Sequence, residues 1–414
     1  MDYSIIVVGD ELLIGQVTDT NSGWIARNLR PYGWKTKSVK VVGDDAKEIE
    51  KAIDEAFDQT DVVLMTGGLG PTKDDITKST LCEYFGGEMV LDEATLLNVE
   101  EVLNKRGLTM NDLNHNQAMV PSSCRVIQNR VGTAPLMWFE KDDKVLVSMP
   151  GVPFETETMM AEAVIPQLVE HFMNDKYIEY RTFVVIDYSE SVLALTLADF
   201  ESRLPEFVKL AYLPKPGVIR LRLSAIGDDE AEIKAAMDEL EKSLYEILGK
   251  NIIANEDNTP SEILGGLLLK HNMTLATAES CTGGNVAHTI TQVAGSSAYF
   301  VGSVVSYCNE VKKNLLGVPE KVLNTEGAVS EPTVRQMSLG VSSLLGTDCA
   351  VATSGIAGPG GAVPGKPVGT VWMSAKCGDR LVTECRRFPG SRDRVIERAT
   401  THVTLMLIKL LLGE

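Results

Sequence analysis

Short, continuous apolar runs that recur between amphipathic stretches are the feature that most constrains the fold of this chain. In the first part of the sequence these runs cover residues 5–8, 39–42, 62–65 and 145–149. Apolar runs of this length predict strands buried on both faces, and their alternation with helices is typical of a parallel sheet. We therefore predict an α/β domain over residues 1–172.

Two further segments follow. Residues 173–253 combine strand-like alternation with a Glu- and Ala-rich helix over 229–248, which predicts a small α+β domain. Thr259-Pro260-Ser261-Glu262 has the form of a capping box and predicts the first helix of a third domain, over 254–414. The predicted fold class is α/β: two α/β domains with largely parallel sheets, joined by the small α+β domain.

Charge and cysteine usage narrow the possible partners and the compartment. Lys and Arg number 39 against 57 Asp and Glu, a net charge of −18, which disfavours nucleic acid and membrane surfaces as partners. The seven cysteines are scattered without a C-x-x-C pair, which indicates reduced thiols. The apolar run after Ser4 is too short for a signal peptide, so we expect a cytoplasmic protein.

Acidic residues follow three of the predicted strands. Asp10 and Asp44 come after the first two, and Asp74-Asp75 end the glycine-rich turn after the third. Because parallel strands end at one edge of a sheet, these carboxylates are expected to converge. Asp10, Asp74 and Asp75 are then candidate ligands of a divalent metal; the alternative for Asp74 or Asp75 is a helix cap. Backbone N–H groups of the turn are candidates for binding phosphate, at residues Gly67, Gly68, Gly70 and Thr72.

A second site is predicted around Ser280, which follows a strand and precedes a helix opened by Gly283-Gly284. Backbone N–H groups from Thr282 to Gly284 are candidate oxyanion donors. Lys312 is the candidate base. If Asn309 caps the next helix, this lysine falls in its first turn, where the helix dipole lowers its pKa.

Further interpretations belong to this second site. Tyr307 is a candidate proton relay, and Cys281 is a rival nucleophile that ranks below its serine neighbour. The alternative for Lys312 is a solvated surface lysine. The glycine-dense stretch 354–361, with Gly355 and Gly358, and Arg392 at the start of the last helix are candidates for binding a phosphate-bearing substrate.

Several long motifs, in order along the chain, resemble one family. Residues 9–16 (GDELLIGQ) and 66–75 (TGGLGPTKDD) resemble the amino-terminal domain of CinA-like proteins. Three later motifs resemble the carboxyl-terminal domain of that family, namely residues 279–284 (ESCTGG), 354–359 (SGIAGP) and 366–371 (KPVGTV). The resemblance covers essentially the whole chain.

The resemblance implies two activities that the spacing alone does not. The first domain is similar to a molybdopterin-binding fold associated with metal-dependent ADP-ribose pyrophosphatase activity, in which Asp44 and Asp75 match the acidic active-site positions. The third resembles nicotinamide-nucleotide amidases, in which Ser280, Tyr307 and Lys312 match the serine, tyrosine and lysine.

The expected substrates are therefore ADP-ribose and nicotinamide mononucleotide, small nucleotides of pyridine-nucleotide salvage. The expected cofactor is a divalent ion (Mg, Mn or Co) for the first domain and none for the amidase, and a homodimer is expected by analogy with related folds. The alternative is a pterin- or nucleotide-binding protein, or an interaction protein of competence or DNA damage, with one or both sites inactive.

Overall fold

The computed structural model describes residues 1–72, 75–172 and 176–413. The predicted metal ligand Asp74 lies outside these residues. The chain divides into two compact units, Met1–Glu179 with Ile226–Ile233, and Tyr180–Ala225 with Lys234–Glu414. In the described part of the chain, no helix is long and apolar enough to cross a membrane.

The first unit is an α/β domain. Its strands are β1 Asp2–Val8, β2 Lys35–Val42, β3 Val62–Thr66, β4 Met89–Leu91, β5 Met119–Pro121, β6 Arg125–Ile127, β7 Leu136–Lys141 and β8 Lys144–Met149. Its helices are α1 Asp10–Leu13, α2 Asn21–Leu29, α3 Ala46–Phe57, α4 Thr77–Phe85, α5 Glu93–Lys105, α6 Asp112–Asn116, α7 Pro153–Met159 and α8 Ile165–His171. A π-helical turn, Met160–Val164, joins the last two.

Six of these strands form one sheet in the order β2-β1-β3-β8-β7-β6. The first four run parallel, and β7 and β6 are antiparallel additions at one edge. Along β1, Ile5 and Val7 belong to one buried cluster, whereas Ile6 and Val8 belong to another. Both faces of the sheet are therefore covered, which explains why its strands are continuous apolar runs.

A small α+β module follows, and most of its residues belong to the second unit. Its strands β9 Tyr177–Val185, β10 Val208–Lys215, β11 Val218–Gly227 and β12 Ile252–Ala254 form a sheet in the order β10-β11-β9-β12. Its helices are α9 Glu190–Thr196, α10 Ala198–Glu201 and α11 Glu230–Leu248. Along β11, buried and half-buried residues alternate, as expected for a sheet with one solvated face.

The remainder of the second unit is another α/β domain. Its strands are β13 Leu275–Glu279, β14 Phe300–Val305, β15 Cys349–Gly355, β16 Thr370–Cys377 and β17 Arg380–Arg387, in the order β14-β13-β15-β16-β17. Its helices are α12 Pro260–His271, α13 Asn285–Thr291, α14 Asn309–Asn314, α15 Glu320–Thr325, α16 Glu331–Leu345 and α17 Arg392–Leu411. The first three strands are parallel, and the other two are antiparallel, so this sheet is evenly mixed.

Two helix starts test the predictions made from capping residues. Thr259 caps α12 in a complete capping box with Glu262, as predicted. The prediction that Asn309 caps α14 is wrong, because that residue is the first of the helix and Cys308 precedes it without a side-chain cap. Lys312 therefore lies one residue past the first turn, and another cause must set its pKa.

Candidate functional site

The carboxyl ends of four strands surround a cavity in the first unit. Its volume is about 470 Å³, and it is lined by the segments that follow β1, β2, β3 and β8. This is the edge at which open α/β sheets bind ligands. Asp44, Asp75 and the predicted turn residues line it, namely Gly67, Gly68, Gly70 and Thr72.

The predicted convergence of carboxylates at this edge is present. The Asp10 N–H donates to Asp44 Oδ2 at 3.1 Å, and the Asp44 N–H donates to Asp10 Oδ1 at 3.2 Å. Burial raises the pKa of Asp44, and the charges of Asp10, Glu11 and Asp75 raise it further, against a lowering by the Asp10 N–H. A cation placed here would relieve this like-charge repulsion.

Asp75 does not have the helix-capping role that was the alternative for it. Helix α4 is preceded by Ile76 and has no side-chain cap. The Asp75 carboxylate instead accepts hydrogen bonds from the Thr72 N–H, at 3.0 Å, and from the Thr72 hydroxyl, and both residues line the cavity.

The turn offers two kinds of backbone donor. The Gly67 N–H donates to Met149 O at 3.1 Å, so it binds no ligand in this arrangement. The Gly68 and Gly70 N–H groups have no acceptor among residues 1–72, 75–172 and 176–413. These two N–H groups suit a phosphate.

The carboxylates at this edge bear on which divalent ion could bind. No group of three or more His, Cys, Asp or Glu side chains in the described residues forms a metal cage. Mg²⁺ is commonly held by one or two carboxylates together with substrate phosphate oxygens. Asp44 and Asp75, which both line the cavity, fit that requirement.

The second site is built at the corresponding edge of the other sheet. Ser280 follows β13 and is anchored by its N–H, which donates to Thr353 O at 3.0 Å. The Lys312 Nζ lies 3.0 Å from Ser280 Oγ and donates to Ser306 O at 2.6 Å. Lys312 is 1% exposed, so the alternative of a solvated surface lysine is wrong.

Burial determines the ionisation at this site. Desolvation lowers the pKa of Lys312, against smaller opposing effects of Cys308 and Cys281. We expected the helix dipole to lower this pKa, but Lys312 lies past the first turn of α14, so burial is the cause that the structure supports. Burial also raises the pKa of Cys281 to about 12, which keeps this rival nucleophile protonated at neutral pH.

Glu279 is a functional residue that the sequence analysis missed. Its buried carboxylate accepts hydrogen bonds from the N–H groups of Gly284, Val286 and Ala287, at 2.8–3.0 Å, and from the Thr282 hydroxyl at 2.7 Å. It therefore caps α13 and fixes the turn that carries Ser280. An acidic residue at the end of a strand, four residues before Gly283, was the available signal.

This capping corrects the prediction for the oxyanion donors. The Gly284 N–H is engaged with Glu279, and the Gly283 N–H donates to Ser280 O at 3.2 Å. Within the described residues, the Thr282 N–H alone of the predicted three has no acceptor. The Thr282 N–H, two residues after the serine, is therefore the remaining candidate donor to the oxyanion.

The remaining predicted residues come together beside this site. Arg392, at the start of α17, donates to the Tyr307 hydroxyl at 2.8 Å and to Gly358 O at 2.7 Å. Tyr307 is exposed and contacts Arg392 rather than Ser280 or Lys312, so the contacts favour direct proton transfer over the relay. Gly355 ends β15, where an added Cβ would collide with the Thr370 backbone.

Comparison with known proteins agrees with this architecture. The chain matches the families described as "Probable molybdopterin binding domain" over residues 4–170, "Damage-inducible protein CinA KH domain" over 180–254 and "CinA C-terminal domain" over 257–411. The CinA-like protein of Cytophaga hutchinsonii is 43% identical over 99% of this chain and 98% of its own. This chain belongs to the family of CinA-like proteins. The CinA-like protein of Flavobacterium psychrophilum is 41% identical over 99% of this chain and 98% of its own.

The family of the middle segment adds a detail that the sequence analysis did not supply. KH domains clamp nucleic acid with a G-x-x-G loop. Between residues 180 and 254, glycine occurs only at Gly217, Gly227 and Gly249, so the segment contains no such loop. That nucleic acid is not a direct partner stays a prediction from the net charge of −18.

Proposed function

We propose that this CinA-like protein is a hydrolase with two activities, a nicotinamide-nucleotide amidase in its C-terminal domain and a metal-dependent ADP-ribose pyrophosphatase in its N-terminal domain. The observation that carries the amidase is the buried contact of 3.0 Å between Lys312 Nζ and Ser280 Oγ. A lysine desolvated in this way acts as a general base toward a serine hydroxyl.

The amidase mechanism follows from the contacts of Lys312. In its neutral form the amine donates one N–H to Ser306 O and directs its lone pair to the Ser280 hydroxyl. Lys312 takes the proton as Ser280 Oγ attacks the carboxamide carbon, and the Thr282 N–H stabilises the resulting oxyanion. The C–N bond then breaks, and the proton on Lys312 passes to the leaving nitrogen, which departs as ammonia.

Hydrolysis of the acyl-enzyme completes the cycle. Lys312 takes a proton from a water molecule, the hydroxide attacks the ester, and Ser280 Oγ recovers the proton as the nicotinic acid product leaves. Arg392, held by Tyr307 and Gly358, would bind the substrate phosphate, since its guanidinium lies on the exposed side of the site.

The pyrophosphatase rests on a different observation, namely the cavity that combines converging carboxylates with unpaired glycine N–H groups. Gly68 and Gly70 would bind the diphosphate, and Asp44 and Asp75 would hold the divalent ion together with its oxygens. When bound, that ion would neutralise the diphosphate and polarise it toward water. Asp10 would position Asp44 through their reciprocal hydrogen bonds.

One experiment tests both activities in the full chain. The purified, metal-supplemented protein is incubated separately with nicotinamide mononucleotide and with ADP-ribose, and ammonia and AMP are measured. We expect Ser280→Ala to abolish ammonia release only, and Asp75→Ala to abolish AMP release only. Each variant is thus the control for the other.

Three results would contradict the proposal. An unchanged amidase rate in Ser280→Ala would refute the serine mechanism, and an unchanged AMP rate in Asp75→Ala would refute the pyrophosphatase site. Binding of both substrates without either product would favour the alternative of a ligand-binding or interaction protein.

A further inference from the structure

A second, smaller cavity adjoins the first in the N-terminal domain. Its volume is about 320 Å³, and it shares Gly70, Thr72 and Asp75 with the larger cavity. Its other lining residues include Lys78 on α4 and Gln117 after α6. Because the two cavities meet at the glycine-rich turn, one ligand held by that turn can extend into both.

Lys78 gives the smaller cavity a positive charge for which residues 1–72, 75–172 and 176–413 supply no counter-ion. Its Nζ donates to Gln117 O at 2.8 Å, and no carboxylate in the described part of the chain lies within ion-pair distance of it. Burial lowers the pKa of Lys78 to about 8, so the ammonium is still mostly protonated at neutral pH. Lys78 is half-buried, and charges withdrawn from water are normally paired, so an anion entering the cavity would pair this one.

Gln117 gives the same cavity an unused hydrogen-bond acceptor. Its side chain is 4% exposed, and its Oε1 accepts no hydrogen bond in the described residues. A buried acceptor without a partner is costly, and a hydroxyl group of a ligand would satisfy it. A positive charge beside an unused acceptor suits a phosphorylated sugar.

We propose that the smaller cavity binds the terminal sugar of the diphosphate substrate and the phosphate next to it, with Lys78 contacting that phosphate and Gln117 Oε1 accepting from a sugar hydroxyl. The proposal rests on the proposed pyrophosphatase function. Of the two halves of such a substrate, the nucleoside half is the bulkier, and it belongs in the larger cavity of about 470 Å³ rather than the smaller one of about 320 Å³.

Calorimetric titration of the full chain with ADP-ribose, ribose 5-phosphate and AMP tests this division. We expect Lys78→Met to weaken binding of the first two by about tenfold or more, with AMP affected far less. Lys78→Arg keeps the charge and should retain most of the affinity. Lys51→Met removes an exposed lysine of the same domain and is the matched control.

Gln117→Leu separates the sugar from the phosphate. This variant should weaken ribose 5-phosphate and leave binding of inorganic phosphate unchanged, whereas Lys78→Met should weaken both. Loss of inorganic phosphate binding in Gln117→Leu would show that the new side chain displaces Lys78, whose own contact is with the Gln117 backbone O, and would refute a separate sugar contact.

The outcomes separate this proposal from the pyrophosphatase. If ADP-ribose binds in a Lys78-dependent manner but is not cleaved, the sugar-phosphate site stands and the pyrophosphatase fails. If ADP-ribose is cleaved while Lys78→Met leaves all three affinities unchanged, or weakens AMP equally, the sugar-phosphate site is refuted. Failure of the wild-type protein to bind ribose 5-phosphate and ADP-ribose also refutes it.

Discussion

Replacing Lys312 with Met tests the ionisation state on which the amidase mechanism depends. Lys312 is 1% exposed, and burial lowers its pKa in the folded protein. The unfolded chain has the ordinary lysine pKa of about 10.4 and therefore binds the proton more tightly. Between the lowered pKa and about 10.4, the stability of the wild type must rise with pH relative to a variant without this amine.

The magnitude follows from the linkage of one proton. The difference in unfolding free energy between wild type and Lys312→Met should change by up to about 1.4 kcal/mol per pH unit across that range, and should be flat below the lowered pKa. The hydrogen bonds to Ser280 and Ser306 are lost in the variant. Their loss contributes a pH-independent offset of about 1–3 kcal/mol, so the slope is the informative quantity.

The assay is urea unfolding of the full chain at several values between about pH 6 and 10, with Lys313→Met as the matched control. Lys313 is the next residue and is exposed, so its variant should run parallel to the wild type. The same lowered pKa must appear in the amidase rate, where kcat/KM should rise about tenfold per pH unit until Lys312 is neutral.

Agreement between the two measurements is the critical point. A stability difference that does not vary over this pH range would show that Lys312 titrates at its ordinary pKa and would refute the reasoning. Ammonia release that survives in Lys312→Met would remove the lysine from the mechanism, whatever its pKa.

Four further outcomes are expected. Arg392→Ala should raise KM for nicotinamide mononucleotide at least about fivefold but leave its dephosphorylated nucleoside unaffected, as steady-state kinetics on both will show. Gly70→Ala should depress AMP release and spare ammonia release, because the added Cβ lies 2.5 Å from Asp75 Oδ2. Glu279→Ala should lower the unfolding free energy by about 3 kcal/mol, measured by urea unfolding, because three backbone N–H groups lose their acceptor. A chelator should abolish AMP release and leave ammonia release intact, with re-added Mg²⁺ as the control.

Four strands of the first α/β domain could be predicted from the sequence, because burial on two faces demands continuous apolar runs. The run 62–65 became β3, and its side chains are buried throughout. The sequence also indicated where these strands end, because glycine and acidic residues follow them. What the apolar pattern did not predict was the antiparallel pairing of β16 with β15, because pairing direction depends on the path of the connecting chain.

The candidate sites were predictable in part. Ser280 and Lys312 were found from their positions near strand ends, but the reason for the lowered lysine pKa is burial, which sequence spacing does not report. Glu279 was missed because its role depends on a compact turn in which one carboxylate satisfies three backbone donors. Lys78 and Gln117 meet across 39 residues of sequence, which only the folded chain reveals.

The two sheet edges use the same architecture for opposite electrostatic purposes. At the first edge, burial and then the charges of Asp10, Glu11 and Asp75 raise the pKa of Asp44, so the site gains stability from any cation that enters with a diphosphate. At the second, burial lowers the pKa of Lys312 and so favours the neutral amine beside the Ser280 hydroxyl, and such an amine needs no metal to act as a base. The two proposed reactions therefore depend on different variables, metal concentration for one and pH for the other. One chain can host both because each domain builds its site from its own strand ends.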